Sequence, residues 1–281
     1  MCAVDLHTHS DRSDGSLSPE ELIKLAAKKG LTAIALTDHD TVDGLDRAIE
    51  CGNSLGIEVI PGVELSCDNN GKDVHIVGLY IDYKRPSFNK YLKEFVDSRD
   101  NRNKKMCHLL TEAGMPVDYE EMTQYFGDCV LTRAHYARYL LMKGYTKSLK
   151  EAFERYIGDN CPYYVPREKV TPAQGVDLIL KAGGIPILAH PLLYKMGKDS
   201  LEMLVDKLIA SGLMGIETNY CTYTQSDQRD MIKLAEKKGL LKSGGSDFHG
   251  EAKPGLELGT GYGSLYVPDE YLNLIKEKIQ K

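Results

Sequence analysis

Asp5-Leu6-His7-Thr8-His9, followed closely by Ser13-Asp14-Gly15, sets imidazoles and carboxylates two residues apart. On a strand, residues two apart share a face, whereas on a helix they diverge by about 200°. Asp5, His7 and His9 can therefore line one side of a strand, with Asp14 returning from the loop. The same residue types recur in Thr37-Asp38-His39-Asp40, Glu64, His75, Ala189-His190-Pro191 and Ser246-Asp247-Phe248-His249-Gly250. Six of the eight histidines lie in these motifs. Imidazole and carboxylate are the ligands of zinc, manganese and iron. The pattern predicts a multinuclear metal site.

Such a site needs a scaffold that brings distant segments together. Apolar or alternating runs predict strands over 3–9, 31–37, 57–65, 73–81, 185–190, 213–218 and 241–246. Helical periodicity covers 18–29, 41–54, 171–182, 199–210 and 224–239. Ser18-Pro19-Glu20-Glu21 and Thr171-Pro172 are helix-entry signals, and Gly30 and Gly183 are stops. Strands alternating with helices predict a mostly parallel sheet, open or closed into a barrel. The chemistry-bearing residues then fall at strand carboxyl ends. His7 and His9 end the first strand, Asp38 and His39 follow the second, and Glu64 ends the third. His190, Glu217 with Asn219, and Asp247 with His249 end the last three. Loops converge on that face of a barrel. His75 lies near the start of its run and joins the others only if its strand is antiparallel, which a short connection through 68–72 allows.

At 281 residues the chain can bury a large α/β core. Seven scattered cysteines, with no CxxC pair, exclude a disulfide framework and a thiolate zinc site and fit a reducing compartment. An immediate strand leaves no room for a signal peptide, and no apolar run approaches about 18 residues. The expected location is cytoplasmic. The stretch 84–169 breaks the rhythm, with helical patterns at 87–113, 132–142 and 148–157. It carries 16 Lys/Arg against 12 Asp/Glu, a net of +4, while the remainder has 19 against 29, a net of −10. A basic helical cover on an acidic barrel favours an anionic substrate, the alternative being a solvated lid without substrate contacts. The expected division is barrel over 1–86, helical insertion over 87–165 and barrel again over 166–281.

These motifs, with Pro61-Gly62-Val63-Glu64 and His75-Ile76-Val77-Gly78, resemble the PHP (polymerase and histidinol phosphatase) family of metal-dependent phosphoesterases along nearly the whole chain. Leu131-Thr132-Arg133-Ala134-His135-Tyr136-Ala137-Arg138 and the insertion look most like its stand-alone bacterial nucleotide phosphatases, some acting on nucleoside 3′,5′-bisphosphates and related members trimming short RNAs from the 5′ end. The resemblance implies a distorted (β/α)7 barrel and three divalent metals. His7, His9, Glu64 and Asp247 would bind the first. Glu64 would bridge to a second on His75 and His190, and Asp14, His39 and His249 would bind the third. Six imidazoles and three carboxylates suit Mn²⁺, Fe²⁺ or Zn²⁺ better than Mg²⁺ or Ca²⁺.

Around that set, Asp5 and Asp38 are expected to orient ligand histidines, Asp40 to cap the next helix, and His108 to be a solvated or packing residue. Metal-activated hydroxide beside Glu64 would attack phosphorus. Arg133 would clamp phosphate. His135 would donate a proton or contact substrate, the alternative being an ordinary helix-start histidine, and Asn219 has the address of a substrate contact. Arg138 is a weaker candidate. Tyr136, Tyr163 and Tyr164 are candidate stacking partners for a base. The favoured substrate is a nucleotide or short 5′-phosphorylated single-stranded RNA. The alternatives are a small monoester such as histidinol phosphate, or a non-catalytic binding module. An acidic pI near 5.8 argues against broad duplex binding.

Overall fold

The computed structural model describes residues 4–158, 161–166 and 170–280. Seven strands form one sheet in sequence order: β1 (Val4–Thr8), β2 (Ala33–Leu36), β3 (Glu58–Asn69), β4 (Lys72–Leu79), β5 (Ile185–Leu188), β6 (Gly215–Tyr220) and β7 (Leu241–Gly245). β1 to β3 pair in parallel, as do β5 to β7, and β4 is antiparallel to both neighbours. The sheet curls until its edges meet just beyond β1 and β7. There the Asp247 amide donates to the His7 carbonyl at 2.9 Å, and the His9 amide to the Phe248 carbonyl at 3.0 Å. Gly245 permits this approach, because a Cβ there would lie 2.5 Å from the His7 Cβ.

All seven strands expected from the apolar runs are present, with β3 continuing past Glu64 to Asn69. It turns at Asn70 (φ 54°) and Gly71 (φ 85°) into β4, the positive pair of a tight hairpin. That turn reverses β4, so His75 comes to lie opposite Ser66 and at the same mouth as the other site residues.

Helices α1 (Pro19–Lys28), α2 (Leu45–Leu55), α7 (Pro172–Lys181), α8 (Lys198–Ala210), α9 (Gln225–Lys238) and α10 (Asp269–Ile279) belong to the barrel segments. The expected entry devices are present. Ser18 and Glu21 form a capping box on α1, and Thr171 and Gln174 one on α7. α10 was not anticipated from the sequence. Between β4 and α7 lie α3 (Pro86–Glu112), α4 (Tyr119–Phe126), α5 (Arg133–Met142) and α6 (Leu149–Ala152), which runs into a π-helical turn over Phe153–Ile157. α4, also unanticipated, has Asp118 as its cap, its carboxylate accepting from the Glu121 amide at 2.7 Å.

The helical region has an apolar cluster of its own, around Met106, Leu110, Met122, Tyr136, Tyr139 and Leu140, separate from the barrel core. It is pinned to the barrel mouth by polar contacts. Arg99 on α3 pairs with Asp40 at 2.6 Å, both groups being buried. The Thr132 hydroxyl donates to Asp14 Oδ2 at 2.8 Å, and the Val130 amide to the Arg12 carbonyl at 2.9 Å. Asp40 is thus not the helix cap expected of it: α2 begins after Gly44, and the Asp40 carboxylate instead holds Arg99 and the Ser66 amide.

Candidate metal centre

All nine residues singled out as ligands converge at the carboxyl-end mouth. His7 and His9 come from β1 and its exit, Asp14 from the following loop, and His39 from the β2 exit. Glu64 and His75 lie diagonally across β3 and β4, and His190, Asp247 and His249 come from the exits of β5 and β7. His190 and Asp247 hold positive φ, 27° and 54°. Such backbone costs about 1–3 kcal/mol and gathers at functional sites.

The donor atoms lie at ligand spacing. His7 Nε2 and His9 Nε2 are 3.1 Å apart, and each lies 3.1–3.6 Å from Glu64 Oε2 and Asp247 Oδ1. Tetrahedral ligands roughly 2.1 Å from a common ion stand about 3.4 Å apart. The two oxygens of Glu64 serve different histidines. Oε1 lies 2.8 Å from His75 Nδ1 and 2.9 Å from His190 Nε2, while Oε2 is also 3.1 Å from His39 Nδ1. His9, Asp14, His39 and His249 form a further group whose donor atoms lie within 4.8 Å of one another.

Electrostatics and unmet hydrogen bonds show that the residues fit divalent cations. Asp14 Oδ1 and His39 Nδ1 are buried and make no hydrogen bond, although they lie 3.1 Å from His249 Nε2 and Glu64 Oε2, respectively, a lack that a ligand bond would satisfy. Burial pulls His39 down to about 3 and also lowers His249, so both imidazoles are available in the neutral form that a metal ion needs. Burial opposes charge on His9 as well, but Asp247 and Glu64 outweigh it and push His9 up to about 9. Burial likewise opposes ionisation of Glu64, and His7, His39 and His75 overcome it, holding the carboxyl well below its usual range. Buried carboxylates packed among imidazoles attract positive charge.

Around the cluster, Glu217 has a role the sequence did not specify. Its Oε1 accepts from His7 Nδ1 at 2.8 Å and its Oε2 from the His190 amide at 2.6 Å. That contact places the His7 proton on Nδ1 and frees Nε2 to face the centre, the carboxylate–histidine–metal arrangement. Tyr220 and Lys253, unremarked in the sequence, hold the other oxygen of Asp247 at 2.6 and 2.5 Å. Neither has a motif to reveal it.

Several expected orienting and substrate residues lie elsewhere. Asp5 does not touch a ligand imidazole. Its carboxylate accepts from the Ser246 and Gly259 amides, each at 2.9 Å, and so ties the two edges of the barrel. Asp38 accepts from the Ser10 amide and hydroxyl and from the Ser13 hydroxyl, shaping the loop that carries Asp14. Asn219 turns away at a register shift in β6 and donates to the Tyr266 carbonyl at 2.7 Å. His135 is buried, its Nδ1 accepting from the Thr132 amide at 2.9 Å as the cap of α5. Burial lowers it to about 4, so the imidazole is neutral near pH 7. Tyr136 is fully buried and donates to the Asn103 carbonyl, out of reach of any base, and Tyr163 stacks on Tyr156. His108 is exposed beside Glu112, as expected.

Several cavities border the cluster among the described residues. One, of about 370 Å³, lies over seven of the nine residues and is walled by Ala134, Ala137, Leu149, Phe153, Arg138 and Lys253, among others. Another, of about 180 Å³, shares Asp14, His39 and His75 and contains Arg99, Arg102 and Arg133. Arg133 also pairs with Asp73 and lies over the Tyr164 ring at 5.1 Å. Arg138, over the Phe126 ring at 5.2 Å, is a cavity residue and not merely surface charge.

A barrel with this mouth defines a metal-dependent hydrolase of phosphoric esters. The family model for the PHP domain matches residues 5–160, and the chain belongs to that family. It is 38% identical over 245 residues, 87% of this chain and 89% of the relative, to a 5′-3′ exoribonuclease of Haemophilus influenzae. It is 34% identical over 260 residues, 92% of this chain and 91% of the relative, to a 3′,5′-nucleoside bisphosphate phosphatase of Chromobacterium violaceum. A solved structure from Bifidobacterium adolescentis, assigned as a metal-dependent phosphoesterase, superposes with a TM-score of 0.86 at 26% identity, covering 98% of this chain and 95% of that one.

Proposed function

We propose that this phosphoesterase acts on nucleotides or short 5′-phosphorylated RNA, with a nucleoside 3′,5′-bisphosphate as the preferred small substrate. The observation that carries this reading is the cavity beside His39 and His75, lined by Arg99, Arg102 and Arg133, of which Arg99 also pairs with Asp40 and Arg133 with Asp73. That cavity suits a second anionic group next to the scissile phosphate. The names of the two relatives point the same way. Helices α3 and α5, which supply the three arginines, act as a substrate lid within the 87–165 insertion.

The nine residues at the mouth would hold three divalent ions: His7, His9, Glu64 and Asp247 the first, Glu64, His75 and His190 the second, Asp14, His39 and His249 the third. Mn²⁺, Fe²⁺ and Zn²⁺ fit these donors. Bound there, such ions activate water at neutral pH and neutralise phosphoryl charge. The protein's own groups do the rest. Glu217 fixes the His7 ring, and Tyr220 and Lys253 fix Asp247. Arg133, with Arg99 and Arg102, binds and orients the substrate's phosphates, a planar fork matching a tetrahedral anion. Lys253 at the cavity wall offers a further cation to the departing or attacking oxygen. The six described cysteines are free and scattered, which supports a cytoplasmic location. No helix among the described residues is long and apolar enough to cross a membrane.

The test is kcat/KM for a 3′,5′-bisphosphate against the nucleoside monophosphate, a 5′-phosphorylated RNA and histidinol phosphate. The bisphosphate or the RNA should be preferred, and the gap should narrow with added salt as exposed charge is screened. Arg133→Ala should reduce kcat/KM for the preferred substrate roughly tenfold to a hundredfold, the worth of a charged hydrogen bond, with metal content intact. A clear preference for histidinol phosphate would overturn the nucleotide reading.

A further inference from the structure

The wall of the larger cavity that faces the metal cluster carries no hydrogen-bonding side chain along Ala134, Ala137, Leu149 and Phe153. Ala134 and Ala137 are three apart on α5, hence on one face, and their small side chains leave a shallow apolar strip. Phe153 borders both this slot and the arginine cavity. Phe153 is 37% exposed, at the edge of the helical region's packing. An aromatic ring partly exposed beside an arginine-lined pocket can offer its open face to a ligand.

The backbone is built to present it. Phe153 begins the π-helical turn that interrupts the end of α6, and single π turns recur at functional sites. Gly158 closes that turn, and a Cβ there would lie 2.0 Å from the Phe153 carbonyl oxygen. The remaining polar groups of the slot above the metal-binding floor are Arg138, Lys253 and Tyr220. The first two only donate, and the Tyr220 hydroxyl is engaged by Asp247.

We propose that Phe153 is the stacking platform for the substrate's nucleobase and determines nucleotide specificity, with Ala134, Ala137 and Leu149 forming the base slot. The inference rests on the nucleotide reading and deepens it. The ring stands between the base slot and the arginine cavity, so the scissile phosphate lies over the cluster with the base to one side and the second phosphate to the other. Because the slot lacks a paired donor and acceptor, it grips the face of the base without reading its edge, and all four bases are accepted.

The chain contains no tryptophan, so Phe153→Trp places a single indole at the site. Stopped-flow mixing of that enzyme with adenosine 3′,5′-bisphosphate should quench its fluorescence before turnover, whereas ribose 5-phosphate should not. Phe153→Ala should lower kcat/KM for the bisphosphates of all four nucleosides by about 5- to 150-fold, the worth of one stacked base. Its loss on ribose 5-phosphate should be far smaller, and Phe153→Tyr should restore the selectivity. Equal quenching by both ligands, or equal loss on both substrates, overturns the proposal. Wild-type preference for histidinol phosphate overturns the nucleotide reading together with this one. A wild type that prefers nucleotides, alongside Phe153→Ala that prefers them as strongly, overturns the stacking role alone.

Discussion

Glu64→Gln should strip the protein of bound metal and reduce kcat for any phosphate ester by more than about a hundredfold, the upper range seen even for residues that only support a ligand. The geometry gives the reason. Glu64 sends one oxygen toward His75 and His190 and the other toward His7, His9 and His39. Glutamine keeps the shape but replaces one oxygen by an amide NH₂, which cannot ligate. It also removes the charge that the surrounding imidazoles stabilise. Elemental analysis and steady-state kinetics on the same preparation give the answer. Wild-type occupancy and rate in Glu64→Gln would show that the carboxylate bridges nothing.

A second large effect concerns stability. Asp40→Asn should lower the unfolding free energy of the metal-loaded protein by about 3–5 kcal/mol, because breaking a buried ion pair leaves its partner's charge uncompensated. Asp40 and Arg99 are both buried and 2.6 Å apart, and Arg99 otherwise has only the Ser66 hydroxyl, at 2.7 Å, as a partner within the described contacts of its guanidinium. Asparagine tolerates the positive φ of position 40, 54°, so the substitution isolates the charge. Urea unfolding should show Asp40→Asn with Arg99→Met less destabilised than Asp40→Asn alone. A single variant within about 1 kcal/mol of wild type would mean that the pair does not pin α3 to the barrel.

The fold and the nine clustered residues were legible because their signals are local. An HxH on an apolar run, a carboxylate at a strand end and a capping Ser-Pro-Glu-Glu can each be recognised within a few residues. His75 was legible only conditionally, since its place depended on the hairpin at Asn70-Gly71 reversing β4. What the sequence could not show are pairings between distant segments. Glu217 meets His7 across 210 residues, and Arg99 meets Asp40 across 59. Asp5 sits in the same alternating run as His7 and His9, yet its carboxylate serves the closure of the barrel. Asn219 was misplaced by the register shift in β6, which no residue type announces. By sequence His135, two residues after Arg133, could be a substrate contact or an ordinary helix-start histidine, and its three-residue spacing after Thr132 makes it the capping-box partner.

The claim on which everything rests is that this mouth is a divalent-metal centre. The measurement is the metal content of the purified enzyme before and after chelation, with phosphatase activity followed in parallel. About two to three transition-metal equivalents per chain, activity lost on chelation and activity regained on adding Mn²⁺, Fe²⁺ or Zn²⁺ is the expected result. Full activity in a demonstrably metal-free sample would contradict it.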